Sequence, residues 1–202
     1  MDTREKKATY QEEFRREILD AARDLFVNEG YEKFSMRKLA KKTEYLPTTI
    51  YFYFKDRDDL LFAICEEVAE RFFADLTTIR TAHSDPLESL RQALLYLIAF
   101  GFNCPNEYKV FFITGSQVYG TLDEFMAKES MARNSYFAFR EILKDCIITG
   151  KLQEIDIDVL TQVLTVATRG LALTESKTTF PWFDRNVLAH TLVEGLLRGY
   201  RR

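Results

Sequence analysis

Residues 35–55 read SMRKLAKKTEYLPTTIYFYFK. Ser35 is suited to open a helix, because its hydroxyl can accept a bond from an orphan N–H of the first turn. Met36, Leu39 and Ala40 then fall at i, i+3 and i+4, a narrow apolar stripe, with Arg37, Lys38, Lys41 and Lys42 in the remaining positions. A second pattern opens at Pro47, which fits a first helical position because its missing N–H is no loss there. Ile50 and Phe54 share one face of that second helix, and Thr48, Thr49, Tyr51 and Tyr53 point elsewhere. Only residues 43–46 separate the two patterns. Two short helices joined in this way predict a helix-turn-helix, the motif whose second helix enters the major groove of DNA. Residues 33–57 hold seven Lys/Arg against two acids, in a chain whose net charge is −3. Such a local basic patch is an electrostatic footprint for phosphate. A solvated helix face can carry the same charge run.

Around this stretch lie further pieces in a fixed order: IL-AA--LF at residues 18–26, GY at 30–31, S-R-LA at 35–40, TTIY-YF at 48–54 and K-R-DLL at 55–61. Together they make residues 14–64 resemble the N-terminal DNA-binding domain of the TetR/AcrR family of bacterial transcriptional regulators. The resemblance covers about the first third of the chain. It implies that Tyr51, Tyr53 and Lys55 contact phosphates, that Thr48 and Thr49 lie near the bases, and that Ser35 and Arg37 touch the DNA backbone. Two positions depart from the family's pattern. Glu44 stands where the turn usually carries Gly, and Leu46 where a small capping residue such as Ser is usual. Glu44 must then tolerate the backbone angle of the turn, and Leu46 leaves one N–H of the second helix uncapped. A helical protein-binding module that has weakened or lost DNA contact is therefore the alternative function.

Composition bounds the other classes. The chain has 202 residues, 47% hydrophobic and 29% charged, which is ordinary for a globular protein with one sizeable core or two small ones. Its few Gly and Pro suit an all-α chain. Cys65, Cys104 and Cys146 have no metal-type spacing and read as reduced thiols of a cytoplasmic protein, with no metal or cofactor expected. The polar start argues against a signal peptide, and the longest apolar run, 93–102, is about half what a bilayer span needs. Catalysis is not expected. His83 and His190 stand in unrelated contexts, Gly115 and Ser116 lack the spacing of a nucleophile elbow, and no Gly-rich phosphate loop, HExxH or CxxC occurs.

Helical periodicity and caps divide the rest into about nine helices. Residues 1–8 are expected to be a mobile arm. A first helix is predicted from the capping-box pair Thr9 and Glu12 to about Asn28, stopped by Gly30. A long fourth helix runs from the acids at 56–59 to about Thr81. A fifth opens at Pro86, and an aromatic sixth covers about 108–118. A single seventh helix is predicted from Thr121 to Thr149. The eighth opens at Asp156 or Asp158, a loop holds Pro181 and Trp182, and the last opens at Asp184. The predicted division is a DNA-binding domain over 1–55 and a helical ligand-binding and dimerisation domain over 56–202.

Many aromatic residues fall between 72 and 139. Such stripes are commonly plain core, but the resemblance implies a small-molecule effector between helices 4 and 7. Phe72, Phe102, Phe111, Phe112, Phe125 and Phe139 are the expected apolar lining, with Asn103, Tyr108, Gln117 and Tyr119 supplying polar contacts. Few charges occur among them, so an apolar or aromatic effector is expected. The resemblance also implies that the last two helices pair with their copies in a homodimer. The expected interface residues are Val163, Ala167, Gly170, Leu188, Leu192, Gly195, Leu196 and Gly199. Two-fold symmetry would let the dimer meet two DNA half-sites. The whole is then a regulator, in the family's commoner habit a repressor, released from a palindromic operator when effector binds.

Overall fold

The computed structural model describes residues 3–173 and 184–202. Its elements are helices, with no β-strand among the described residues and one isolated bridge between Leu152 and Arg201. In chain order they are α1 (Thr3–Glu29), α2 (Met36–Thr43), α3 (Pro47–Tyr53), α4 (Arg57–Ala82) and α5 (Pro86–Asn103). Then come α6 (Pro105–Lys109), a π-helical turn (Val110–Thr114), α7 (Ser116–Tyr119), α8 (Leu122–Ala127), α9 (Met131–Ile148), α10 (Ile157–Ala172) and α11 (Arg185–Tyr200). Among the described residues, no helix is long and apolar enough to cross a membrane.

Compactness groups the chain into two units: Met1–Val68 with Asn106–Lys128, and Ala69–Pro105 with Glu129–Arg202. This grouping differs from the division at 55/56. The first half of α4 and the segment after Asn106 share a core with the N-terminal helices. Ile64 and Cys65 of α4 and Val110 of the π turn are buried in the same cluster as Ile18, Phe26, Leu39 and Ile50.

In the first unit, α1 buries Ile18, Leu19, Ala22, Leu25 and Phe26, one face of a 3.6-residue period. Gly30 ends it at φ 79, and its N–H donates to the Phe26 carbonyl at 3.1 Å. The Phe26 ring stacks on Phe34 at 4.2 Å and so closes the cluster beneath α2. The sequence expectation for the helix start needs correction. α1 begins at Thr3, and the Thr9 hydroxyl donates back to the Glu5 carbonyl at 2.9 Å instead of capping a helix. A threonine inside a helix makes this back-bond readily, so the capping-box spacing there is coincidental.

Two further differences concern the middle of the chain. The aromatic sixth helix is α6, the π turn and α7, in which the Gly115 N–H reaches five residues back to the Val110 carbonyl at 2.7 Å. The expected seventh helix is two. The Thr121–Glu124 capping box does form, but α8 ends at Ala127, and Ser130 caps α9 by accepting from the Arg133 N–H at 3.1 Å. Leu122, at the start of α8, is exposed. The loop with Pro181 and Trp182 lies outside the described residues.

In the second unit α5 is central, burying Leu87, Leu90, Ala93, Leu94 and Ile98 against α9, α10 and α11. Gly101 lets α10 approach: a Cβ there would lie 2.6 Å from the Ala172 Cβ. Charged pairs tie the helices at the periphery. Arg80 grips Asp145 through Nε at 2.7 Å and Nη2 at 3.1 Å, and Arg91 holds Glu194 at 2.5 Å. Arg140 holds Asp158 at 2.7 Å.

Candidate nucleic-acid interface

The turn between α2 and α3 is built by its caps and by α1. Ser35 accepts from the Lys38 N–H at 3.3 Å and so starts α2 as its sequence predicts. α2 ends on Glu44 at φ 59, ψ 17, which among the described residues is the one non-glycine residue in the left-handed region. The chain then turns into α3, which starts with Pro47 at its first position and has no side-chain cap at Leu46. The Phe14 ring of α1 stacks on Tyr45 at 4.0 Å and lies 5.7 Å from Tyr53, bracketing the short helix. Tyr45 also donates to the Glu17 carboxylate, and that bond, ahead of burial, pushes its phenol up to about 12. Ile50 is the residue of α3 that is fully buried, and Phe54 just beyond it is buried with it.

The remaining side chains of α3 follow from that anchoring. Thr48 is exposed, Thr49 is half-buried beside it, and Tyr51 is 52% exposed. Tyr53 is half-buried because its ring lies against Phe14. Lys55 is exposed while its backbone N–H is held by Asp59 at 3.0 Å. Arg37 is exposed on α2, and half-buried Ser35 uses an oxygen lone pair to cap α2, which leaves its O–H able to donate. The seven cations are not equivalent. Lys38 is paired with Glu29 and Lys42 with Asp24 at 3.3 Å, whereas Arg37, Lys41 and Lys55 make no ion pair among the described residues. Leu46, read from the sequence only as a missing cap, is 71% exposed, and Phe52, which escaped that reading, is 76% exposed. The signal for Phe52 was available, since it lies about 200° around the helix from buried Ile50.

The residues expected to line an effector pocket separate between the two units. Phe72, Phe102, Asn103 and Phe139 belong to the second. There Phe72 is buried, edge-on to Phe100 at 4.7 Å and to Tyr96 at 5.3 Å. Phe139 is buried, Phe102 lies 5.1 Å beneath the Arg185 guanidinium, and Asn103 is exposed at the end of α5. The first unit holds Tyr108, Phe111, Phe112, Gln117, Tyr119 and Phe125. Tyr108 is buried against Phe112 at 4.5 Å, and Phe111 packs against the N-terminal core. Tyr119 donates to Glu66 at 2.9 Å and meets Phe125 edge-on at 5.8 Å, while Gln117 is exposed. Burial, with the carboxylate of Glu66 adding to it, raises the Tyr119 phenol, so this hydroxyl stays a donor. A separate cleft of about 470 Å³ in the second unit is lined by Phe73, Thr77 and Arg80 of α4 and by Asn134, Phe137, Ala138 and Glu141 of α9. None of the ten expected residues lines it.

Of the residues expected to pair in a dimer, Val163, Gly170, Gly195 and Gly199 are exposed, and Ala167, Leu188, Leu192 and Leu196 are half-buried. A Cβ built on Gly170, Gly195 or Gly199 would meet nothing within 4 Å. Val159, Val166, Leu173 and Val187 add further exposed apolar surface on α10 and α11. Among the described residues no group of His, Cys, Asp or Glu is arranged to hold a metal ion.

Comparison with known proteins agrees with this architecture. Residues 18–64 match the sequence profile of bacterial regulatory proteins of the tetR family. An HTH-type transcriptional regulator of Staphylococcus aureus is 32% identical over 88 residues, 44% of this chain and 48% of that protein. An HTH-type transcriptional repressor of Mycobacterium tuberculosis is 40% identical over 60 residues, 30% of this chain and 32% of the repressor. The chain thus spans about half or less of the length of these curated relatives. Among solved structures, a TetR family transcription regulator from Marinobacter aquaeolei superposes with a TM-score of 0.76 at 18% identity, over 96% of this chain and 98% of that one. A fatty acid degradation regulator, FadR, from Bacillus halodurans superposes with a TM-score of 0.72 at 19% identity, over 92% and 99%. At such identities the superpositions speak for the fold. Residues 18–64 thus carry a tetR-type helix-turn-helix, within an all-helical fold shared with solved structures described as TetR family regulators.

Proposed function

We propose that the protein regulates transcription by binding duplex DNA as a homodimer, that it represses, and that a small, largely apolar effector releases it from a palindromic operator. The observation that carries this reading is the combination on α2 and α3. Arg37, Lys41 and Lys55 stand exposed without an acidic partner among the described residues, beside the exposed Thr48 and Tyr51 of a helix that buries little more than Ile50. Unpaired cations on an otherwise acidic protein suit phosphate, and hydroxyls on the second helix suit base edges. Repression follows the name of the Mycobacterium tuberculosis relative. A dimer is favoured by the exposed apolar and glycine positions of α10 and α11, which would otherwise face water. An apolar effector is favoured by the aromatic residues between 72 and 139, and it fits the fatty acid degradation regulator among the structures of the same fold. In this mechanism the effector lowers DNA affinity by its differential affinity for two conformations of the dimer.

The test is selection of bound sites from a random duplex pool, followed by a salt titration on the recovered site. Three cations from each of two protomers, roughly six phosphate contacts, give about a thousandfold loss of affinity between 50 and 200 mM salt. Recovery of a palindrome supports both DNA binding and dimer symmetry. Glu44 and the uncapped Leu46 favour the second reading, a protein-binding module of the same fold. Indifference to every duplex and a flat salt response would overturn the first reading.

A further inference from the structure

The second helix of the helix-turn-helix lacks the side chains that usually read bases. Residues 44–54, EYLPTTIYFYF, contain no Arg, Lys, Asn or Gln. Guanine is most often read by a bidentate Arg or a Lys on O6 and N7, and adenine by a bidentate Asn or Gln on N6 and N7. Neither is possible from α3. What this helix turns outward instead is apolar surface. Leu46 is 71% exposed just ahead of it, Pro47 is exposed, and Phe52 is 76% exposed.

Leu46 is the informative residue. It occupies the capping position with φ −65 and ψ 137, and its carbonyl accepts from the Thr49 N–H at 2.9 Å and the Ile50 N–H at 3.3 Å, so its backbone is fixed. Its side chain caps nothing and is 71% exposed. A Ser or Asn there would stabilise α3, and the chain forgoes that. A position that breaks a local rule without a return to the fold is where function is expected. An aliphatic side chain can neither donate nor accept, and the major groove offers it one apolar group, the C5-methyl of thymine.

We propose that the operator half-site is selected chiefly through thymine methyl groups, with Leu46 as the principal specificity-determining residue. This rests on the DNA-binding function proposed above and names how that function chooses its site. The hydroxyls of Thr48 and Thr49 add single hydrogen bonds, which accept more than one base, and Arg37, Lys41 and Lys55 supply affinity that does not depend on sequence.

The experiment replaces thymine by deoxyuridine in the operator recovered from the random pool. This removes the methyl group and leaves every hydrogen-bonding edge in place. Each lost methyl contact costs about fourfold in affinity, so substitution in two half-sites is expected to weaken binding by about tenfold or more. Leu46→Ala is expected to bind the thymine and deoxyuridine operators within about twofold of each other, with an unchanged salt slope because no phosphate contact is lost. Circular dichroism melts of Leu46→Ala check that this exposed substitution leaves the fold intact. Equal binding of the two operators by the unaltered protein would overturn the proposal while leaving DNA binding standing. Full deoxyuridine sensitivity in Leu46→Ala would overturn the assignment to Leu46. Failure to recover any site would instead remove the underlying function.

Discussion

Replacing Glu44 tests two physical statements about the turn at once, and two substitutions separate them. Glu44 sits at φ 59, ψ 17. An L-residue in that region carries about 1–2 kcal/mol of steric cost, which Gly does not. Gly in turn costs about 0.5–1 kcal/mol through the freedom it adds to the unfolded chain. Glu44→Gly is therefore expected to stabilise the protein by about 0.5 kcal/mol, a rise in Tm of about 1–2 °C for a chain of this size. Glu44→Gln keeps the strain and removes the charge, so its Tm is expected to stay within about 1 °C. Both variants withdraw a carboxylate from the turn that joins α2, which bears Arg37 and Lys41, to α3. A charge about 8 Å from a phosphate in water contributes about 0.5 kcal/mol before screening, roughly twofold per half-site. Fluorescence anisotropy with a labelled operator at 50 mM salt is expected to show both variants binding about two- to fivefold tighter, with the gain fading by 200 mM. A Tm for Glu44→Gly at or below that of the parent would refute the strain argument. An unchanged affinity for Glu44→Gln at low salt would refute the placement of Glu44 beside DNA.

Gly115→Ala is expected to destabilise the protein by about 1–3 kcal/mol, measured by urea denaturation, because the new Cβ would lie 2.5 Å from the Phe111 carbonyl oxygen and 2.9 Å from the Cys65 sulfur. Backbone on one side and a buried side chain on the other leave little room to yield, so a neutral result would count against the packing around the π turn. The thiols are expected to divide by reactivity. Burial, with Glu66 adding to it, pushes the Cys65 thiol up to about 12; burial, with Asp145 and Asp85 adding to it, does the same for Cys146. At pH 8 both are protonated, so an aromatic disulfide reagent should modify half-buried Cys104 first and the other two only on unfolding. Rapid reaction of all three in the native protein would contradict the burial described.

The helix-turn-helix was legible because each of its parts is a local event. Ser35 caps three residues ahead, Pro47 starts a helix, and Ile50 and Phe54 mark a buried face. The break between α8 and α9 was not legible, because residues 127–129, Ala-Lys-Glu, are good helix formers and Ser130 looks like any polar residue inside a long helix. Its hydroxyl matters only once the Arg133 N–H is left without a partner. At Thr9 the opposite happened, and a capping-box spacing was absorbed inside a continuing helix. The aromatic residues of the middle helices show a different limit. Periodicity turns Phe72 and Phe111 inward, but does not say which neighbours they meet, and the two belong to separate compact units. Phe52 was overlooked because an apolar residue on a short helix is first taken for core, and Leu46 was read only as a missing cap, since only solvent exposure distinguishes a hidden side chain from a displayed one.

The five-residue reach from Gly115 to Val110 means that this stretch holds one amino acid more than an ordinary helical repeat needs. Deleting a single residue within 110–114 would let the backbone relax into regular i→i+4 pairing without breaking the chain. Everything downstream would then swing by about 100° around the axis. The hydroxyl of Tyr119 would turn away from Glu66. The surplus residue thus works as an angular spacer, setting which way the end of the segment points.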